Sequence, residues 1–307
     1  MQQMIGCDLC HSAAIRPLFT PRTLPDFRLV QCSNCGLVYL DPRPSPDELG
    51  SYYTKDYYTS LPPVLKNNSG WREHVKRIAY RSRCQAKESM STRQRAMLPL
   101  ASLALAWRAR RRVPPISNGA LLDVGCGNGE QIAWIRDNIP GWRVEGVEVN
   151  SFAAQQAQAH FGLKVHIGNL EDLELPGESF DMVSFWHSLE HTFSPSTTLR
   201  EAHRLLKPNG WIGVEVPNIE SWEARHLGEI WYHLAVPVHL YHFSPRTLHL
   251  MLQKCGFRLI TTEVVHGEIP WDNLMPEYLR LPLAMQELAA RLIRVSPWGI
   301  RMYAVRL

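Results

Sequence analysis

The chain has 307 residues, 45% of them hydrophobic and 20% charged, and a formal net charge of +4. This is ordinary globular material, long enough for one full α/β domain and a smaller unit. No stretch approaches the roughly 20 apolar residues of a membrane span, and Met1 to Ile5 runs into Cys7 without a basic start and an apolar core, so no secretory signal is expected and a cytoplasmic, reducing location is.

Seven cysteines in such a chain argue against a disulfide framework, and four of them fall in two tight pairs. Cys7-Asp8-Leu9-Cys10 and Cys32-Ser33-Asn34-Cys35-Gly36 have the spacing of two knuckles that supply four thiolates to one tetrahedral Zn²⁺. A zinc ribbon over residues 1–45, with Cys7, Cys10, Cys32 and Cys35 as ligands, is therefore expected. Redox or unliganded cysteines are the alternative, and His11 reads as a neighbour. Four protein ligands leave no position for substrate, so the ion would be structural. Cys84, Cys126 and Cys255 stand alone and read as small buried side chains.

Asp41 to Glu48 is a proline-rich boundary in which Ser45, Pro46 and Glu48 read as N-cap, first-turn proline and capping-box acid of a short helix. Residues 46–118 read as a helical connector. Within it, residues 71–112 carry twelve Lys or Arg against Glu73 and Glu88. The apolar run from Met97 to Trp107 is too short to cross a bilayer but could lie at its surface beside Arg108 to Arg112, so peripheral membrane contact and a solvated helix face are both open readings.

Residues Leu121 to Glu130 form a short apolar run ending in glycines at 125, 127 and 129, followed by a helical pattern: strand, tight turn, helix. Such a loop brings bare backbone to a ligand. A dinucleotide site would place glycine where Glu130 stands, which disfavours NAD and FAD. A ligand without phosphate and with a cationic sulfonium tolerates acids at Asp123 and Glu130, and S-adenosylmethionine fits. The next strand, Arg143 to Val149, ends in Glu148, where a carboxylate can accept both ribose hydroxyls.

Here the sequence resembles the class I S-adenosylmethionine-dependent methyltransferases, through Leu121 to Glu130, Val144 to Asn150, Ser179 to Val183 with His187-Ser188-Leu189-Glu190-His191, and Leu205 to Gly210. The resemblance covers residues 119 to 265. It implies a cofactor held by Asp123, Gly125, Cys126, Gly127, Glu148, Val149, Asn169, Leu170 and Trp186. That family usually places an acid where Asn169 stands, although an amide carbonyl can still accept the adenine amine. Tyr52, Tyr53, Tyr57 and Tyr58 resemble the tyrosine-rich lead-in of zinc-ribbon members, with interdomain packing as the alternative.

Ser151 is expected to cap a helix through His160, Leu163 to Ile167 to form the third strand of this domain, and Phe180 to Trp186 the fourth. The fourth delivers His187, Glu190 and His191 to the carboxyl edge of the sheet, and a helical turn would put the three on one face. Three readings stay open there. In the first, His187 or His191 is a general base or orients the nucleophile. A structural reading follows, with Glu190 pairing locally and only His187 facing the cofactor. The last is a metal site of His187, Glu190 and His191, because ubiquinone-pathway O-methyltransferases resemble this segment, with a glutamate in the first place.

Residues 217–243 form an aromatic insertion, read as a lid over an apolar or sugar-like acceptor, with His239 and Tyr241 as substrate contacts or as the lid's own core. Ser244-Pro245 starts a helix, Phe257 to Val265 is strand six, residues 277–295 are helical and Gly299 to Leu307 can be a final antiparallel strand. The fold class is thus α/β: a Rossmann-like, seven-stranded, mostly parallel sheet with an N-terminal zinc ribbon, the methyltransferase domain spanning residues 119–307. The expected function is methylation of a small-molecule acceptor of sugar, glycolipid-precursor or natural-product type. Its rivals are an RNA methyltransferase, favoured by ribbon and basic connector but lacking an Asn/Asp-Pro-Pro-aromatic turn after strand four, and a non-catalytic scaffold subunit. Acceptor atom and oligomeric state are not legible.

Overall fold

The computed structural model describes residue 1 and residues 6–21, 24–52, 113–116, 118–266 and 297–307. The tyrosines at 53, 57 and 58, the basic connector with Cys84, and the 277–295 helix lie outside the described residues. Two compact units make up the chain: residues 1–52, 176–178 and 184–307 in one, residues 53–175 and 179–183 in the other.

The first unit opens with strands β1 (Ile15–Phe19), β2 (Leu29–Cys32) and β3 (Val38–Leu40), then helix α1 (Pro46–Tyr52). The expected capping box is present at α1, with Ser45 N donating to Glu48 Oε2 at 2.8 Å and Glu48 N to Ser45 Oγ at 3.4 Å.

The second unit holds β4 (Gly119–Val124), α2 (Glu130–Asn138), β5 (Trp142–Glu148), α3 (Ser151–Phe161) and β6 (Lys164–Ile167). β4 pairs parallel with β5, and β5 with β6. The continuous apolar run of β4 is buried from Ala120 to Val124, as in a strand covered on both faces. The cap of α3 is Asn150 rather than the expected Ser151: its side chain accepts from Ala153 N at 3.0 Å. Either residue type can cap, and the extended backbone at Asn150 decides which does.

There follow β7 (Phe180–Trp186), α4 (Pro195–Leu205), β8 (Leu206–Pro217), α5 (Trp222–Leu227), β9 (Tyr241–His242), α6 (Pro245–Lys254), β10 (Phe257–His266) and β11 (Pro297–Arg306). The seven-stranded sheet has the order β10-β11-β8-β7-β4-β5-β6, with β11 antiparallel to both neighbours. Among the described residues no helix is long and apolar enough to cross a membrane.

The insertion expected as a lid also supplies a strand. Its last residues form β9, which pairs antiparallel with β3 (Val38 opposite His242, Tyr39 opposite Tyr241) and completes a four-stranded sheet, β1-β2-β3-β9. The physical reason is an otherwise open edge of β3, whose backbone groups need partners once buried.

A second tie joins the cysteine-rich segment to α4. The Asp8 carboxylate accepts from Ser196 N at 2.8 Å, Ser194 Oγ at 2.8 Å and Ser196 Oγ at 3.0 Å, and Lys254 Nζ donates to the Asp8 carbonyl at 2.7 Å. A carboxylate at a helix N-terminus meets both its free amides and its dipole. Asp8→Ala is expected to cost about 1–2 kcal/mol, read as a lowered urea midpoint with an unchanged slope.

Candidate active site

The residues expected to hold the cofactor come first. β4 ends at Asp123, 3% exposed, and Val124, and the chain then turns through Gly125, Gly127 and Gly129 at φ 75°, 56° and 77°. The three glycines do different work. A Cβ at Gly127 would meet nothing within 4 Å, so there the backbone borders open space. At Gly129 a Cβ would run into Leu163 and stand 2.8 Å from Ala157 Cβ, so this glycine lets α3 pack close.

Glu148, 4% exposed, lies against the loop: its carboxylate accepts from Gly127 N at 2.8 Å and Asn150 N at 2.9 Å. Two backbone donors fix its orientation and stabilise its ionised, acceptor-only form. Cys126 is buried, and burial, reinforced by Asp123 and Glu148, pushes its thiol far up. Its contribution is packing against Gly146. Val149 is exposed and Leu170 buried. Asn169 donates from Nδ2 to Asp172 Oδ2 at 2.8 Å, which leaves its amide carbonyl as an acceptor. An open glycine cradle beside an oriented, ionised carboxylate fits S-adenosylmethionine. Trp186 belongs to the other unit, where its ring meets Tyr303 edge-on at 6.3 Å and Arg301 at 5.9 Å.

The catalytic candidates gather after β7. His187 takes a left-handed backbone, φ 55°, rare for a side-chain-bearing residue and typical of functional turns. Its ring reaches Glu215 Oε1 at 3.2 Å and Glu190 Oε1 at 3.5 Å and stacks on Trp298 at 5.1 Å. Arg301 holds the other oxygen of Glu215 at 2.6 Å. Burial opposes a charge on His187, but the neighbouring Glu190 and Glu215 carboxylates outweigh it and lift the imidazole to about 9. A protonated ring has no lone pair for a proton, so the base role expected of His187 does not fit its surroundings at neutral pH.

Residues Leu189–His191 form a 3₁₀ turn. The spacing reading put His187, Glu190 and His191 on one face, but the structure gathers Glu190, His191 and His239, with one ligand-type atom from each lying within 4.8 Å of the others. His191 Nδ1 lies 3.0 Å from the Val238 carbonyl and His239 Nδ1 2.8 Å from the His233 carbonyl. A carbonyl partner makes each Nδ1 the protonated nitrogen and leaves the lone pair on Nε2. Burial lowers both histidines, His239 most. Glu190 is 1% exposed and neither carboxylate oxygen has a hydrogen-bond partner.

Tyr241 is not placed for substrate. It is 1% exposed, and its hydroxyl donates to the Phe193 carbonyl at 3.1 Å beside Arg43 at 3.3 Å. Sequence reading missed Glu215 and Arg301. The available signal was a lone acid inside the apolar run Val214-Glu215-Val216, where a core strand carries a charge only if it is paired.

The four N-terminal cysteines converge. Cys7 and Cys35 Sγ are 3.4 Å apart, Cys10 and Cys32 3.5 Å, and all four lie within 4.8 Å of one another. Zinc bonds of about 2.3 Å to four thiolates imply S···S edges near 3.8 Å, so the donor set fits that ion with small adjustments.

Compared with known families, residues 92–262, more than half of the chain, match the model described as Methyltransferase domain. A ubiquinone biosynthesis O-methyltransferase of Albidiferax ferrireducens is 33% identical over 108 residues, covering 32% of this chain and 41% of the relative. The O-methyltransferase resE of Aspergillus sclerotiorum is 27% identical over 174 residues, covering 51% of this chain and 59% of the relative. The chain thus spans less than two thirds of the length of either relative. Among solved structures, a chain of the Haloferax volcanii complex between the Trm112 methyltransferase activator and a methyltransferase matches at TM-score 0.52 and 21% identity, over 69% of this chain and 93% of that one; the likeness is one of fold.

The two glycines separate binding from folding. Gly129→Ala should cost about 3 kcal/mol of stability through overpacking and backbone strain, whereas Gly127→Ala should keep the fold within about 1 kcal/mol and weaken S-adenosylmethionine binding about tenfold or more. Chemical denaturation and titration calorimetry on both variants check the pair.

Proposed function

The chain belongs to the S-adenosylmethionine-dependent methyltransferases, and from that premise we propose that it transfers the methyl group to a hydroxyl of a small organic acceptor, of sugar, glycolipid-precursor or natural-product type. The observation that carries the cofactor half is Glu148, buried and held through Oε2 by Gly127 N of the open glycine loop and through Oε1 by Asn150 N. In this reading Glu148 accepts the ribose hydroxyls, Asn169 and Leu170 bound the adenine, and Asp123 and Glu148 supply the negative environment a sulfonium tolerates. Both relatives compared above are O-methyltransferases by name, which supports oxygen as the acceptor atom.

The acceptor half rests on Glu190, His191 and His239, whose convergence supplies two imidazoles and a carboxylate where an acceptor hydroxyl is to be held and activated. His187 is the positioning residue of this group: as a cation between Glu190 and Glu215 it holds both carboxylates in place. Cys7, Cys10, Cys32 and Cys35 hold a structural Zn²⁺, which leaves the ribbon's strands to carry the acceptor side.

Purified protein incubated with methyl-labelled S-adenosylmethionine and a fractionated lysate should place label in the small-molecule fraction. Glu148→Gln should weaken cofactor binding about tenfold or more, since it removes a charged acceptor. Label recovered in RNA, or tight cofactor binding with no label anywhere, would overturn the small-molecule reading.

A further inference from the structure

Glu190 poses an energetic problem that the hydrogen-bonding groups around it do not solve. A carboxyl group 1% exposed, with neither oxygen in a hydrogen bond, is costly to bury. The imidazole beside it, His187 at 3.5 Å, stands closer to Glu215, at 3.2 Å, and itself remains 36% exposed. Across from Glu190 stand two imidazoles whose Nδ1 atoms are each engaged by a backbone carbonyl. That is the outer-shell arrangement by which proteins fix the tautomer and aim of metal-ligating histidines.

We propose that Glu190, His191 and His239 form a second metal site, distinct from the four cysteines, that takes Zn²⁺ or a divalent ion of similar ligand preference. Two imidazoles and one carboxylate are a borderline donor set suited to such an ion and poorly suited to Mg²⁺, which prefers an all-oxygen shell. The three ligand-type atoms already lie within 4.8 Å of one another. The backbone supports them jointly: Leu240 N donates to the Glu190 carbonyl at 2.9 Å, and Leu40 N to the Leu240 carbonyl at 3.0 Å. The ligand set departs from the spacing expectation in one member, because His187 is engaged by Glu215 and its place is taken by His239 from the insertion.

Three protein ligands leave a coordination position open, the mark of a catalytic rather than a structural site. What the ion does there rests on the methyl-transfer reading: it lowers the pKa of an acceptor hydroxyl. The hydroxyl proton passes to water, the oxygen lone pair forms the new bond to the methyl carbon, and the pair of the breaking C–S bond returns to sulfur as a neutral thioether.

The test is a metal count on the full, reduced protein after equilibration with excess Zn²⁺ and removal of loosely bound ion. The wild type should retain two equivalents, and Glu190→Gln and His239→Ala one each, with S-adenosylmethionine binding by calorimetry unchanged as proof of folding. Co²⁺ added to protein whose cysteine site already holds zinc should give ligand-field absorption without thiolate charge transfer, and the signal should be absent in both variants. A wild type that retains a single equivalent, or a second equivalent that survives in both variants, overturns the site. If the second ion binds as described and no hydroxylic acceptor is methylated, the site stands and the methyl-transfer reading falls.

Discussion

Two backbone hydrogen bonds, Leu40 N to the Leu240 carbonyl and Leu240 N to the Glu190 carbonyl, link the cysteine-rich strands, the insertion and the turn after β7. Individually each contributes about 1 kcal/mol. Their importance is geometric, because they set the spacing of Glu190 and His239 to a precision that side-chain packing alone would not reach. The ribbon is therefore tied through backbone to the turn that carries Glu190 as well as being a folding unit. Asp8 and Arg43 extend the same connection, the first onto the start of α4 and the second to the Phe193 carbonyl at 2.5 Å.

The charges of this unit form a graded series. Glu263 and Glu215 share Arg301, Glu215 shares His187, and His187 reaches Glu190. Glu215 has two such partners and Glu263 has Arg301 at 2.9 Å, whereas Glu190 has, among the described residues, only His187 at 3.5 Å, so Glu190 is the member with most to gain from another cation. The other unit shows the opposite arrangement. Glu148 takes hydrogen bonds from two backbone amides, which cannot move away or change protonation state, and this fixes the aim of its carboxylate.

Much of this was legible in the sequence, and the reasons differ by element. The apolar run of β4, the glycines after it and the acid ending β5 are local signals, each set by residues a few positions apart, and they gave the sheet and the cofactor loop. The capping box at Ser45 and the proline after Ser244 are similarly short-range. What remained hidden depends on long-range pairing. Helical spacing joined His187 to Glu190 and His191, but the left-handed backbone at His187 breaks that spacing, and His239 reaches the cluster only because β9 pairs with β3. The strand that the aromatic insertion supplies was not legible because composition reports burial and not the partner. The loop glycines looked alike because sequence cannot tell open space at Gly127 from a packed neighbour at Gly129.

The pairing of β3 with β9 also governs the order in which the chain can fold. Arg43 and Tyr241, which meet beside it, are separated by 198 positions. During synthesis the N-terminal strands emerge long before their fourth partner, and contacts of such separation form late. The cysteine knuckles, by contrast, are within reach of each other as soon as they are made. Thiolate capture of a metal can thus stabilise a short, core-poor segment through the interval in which its open edge would otherwise be free to pair with another chain. The ribbon would then serve first as a placeholder for assembly and only afterwards as part of the finished site.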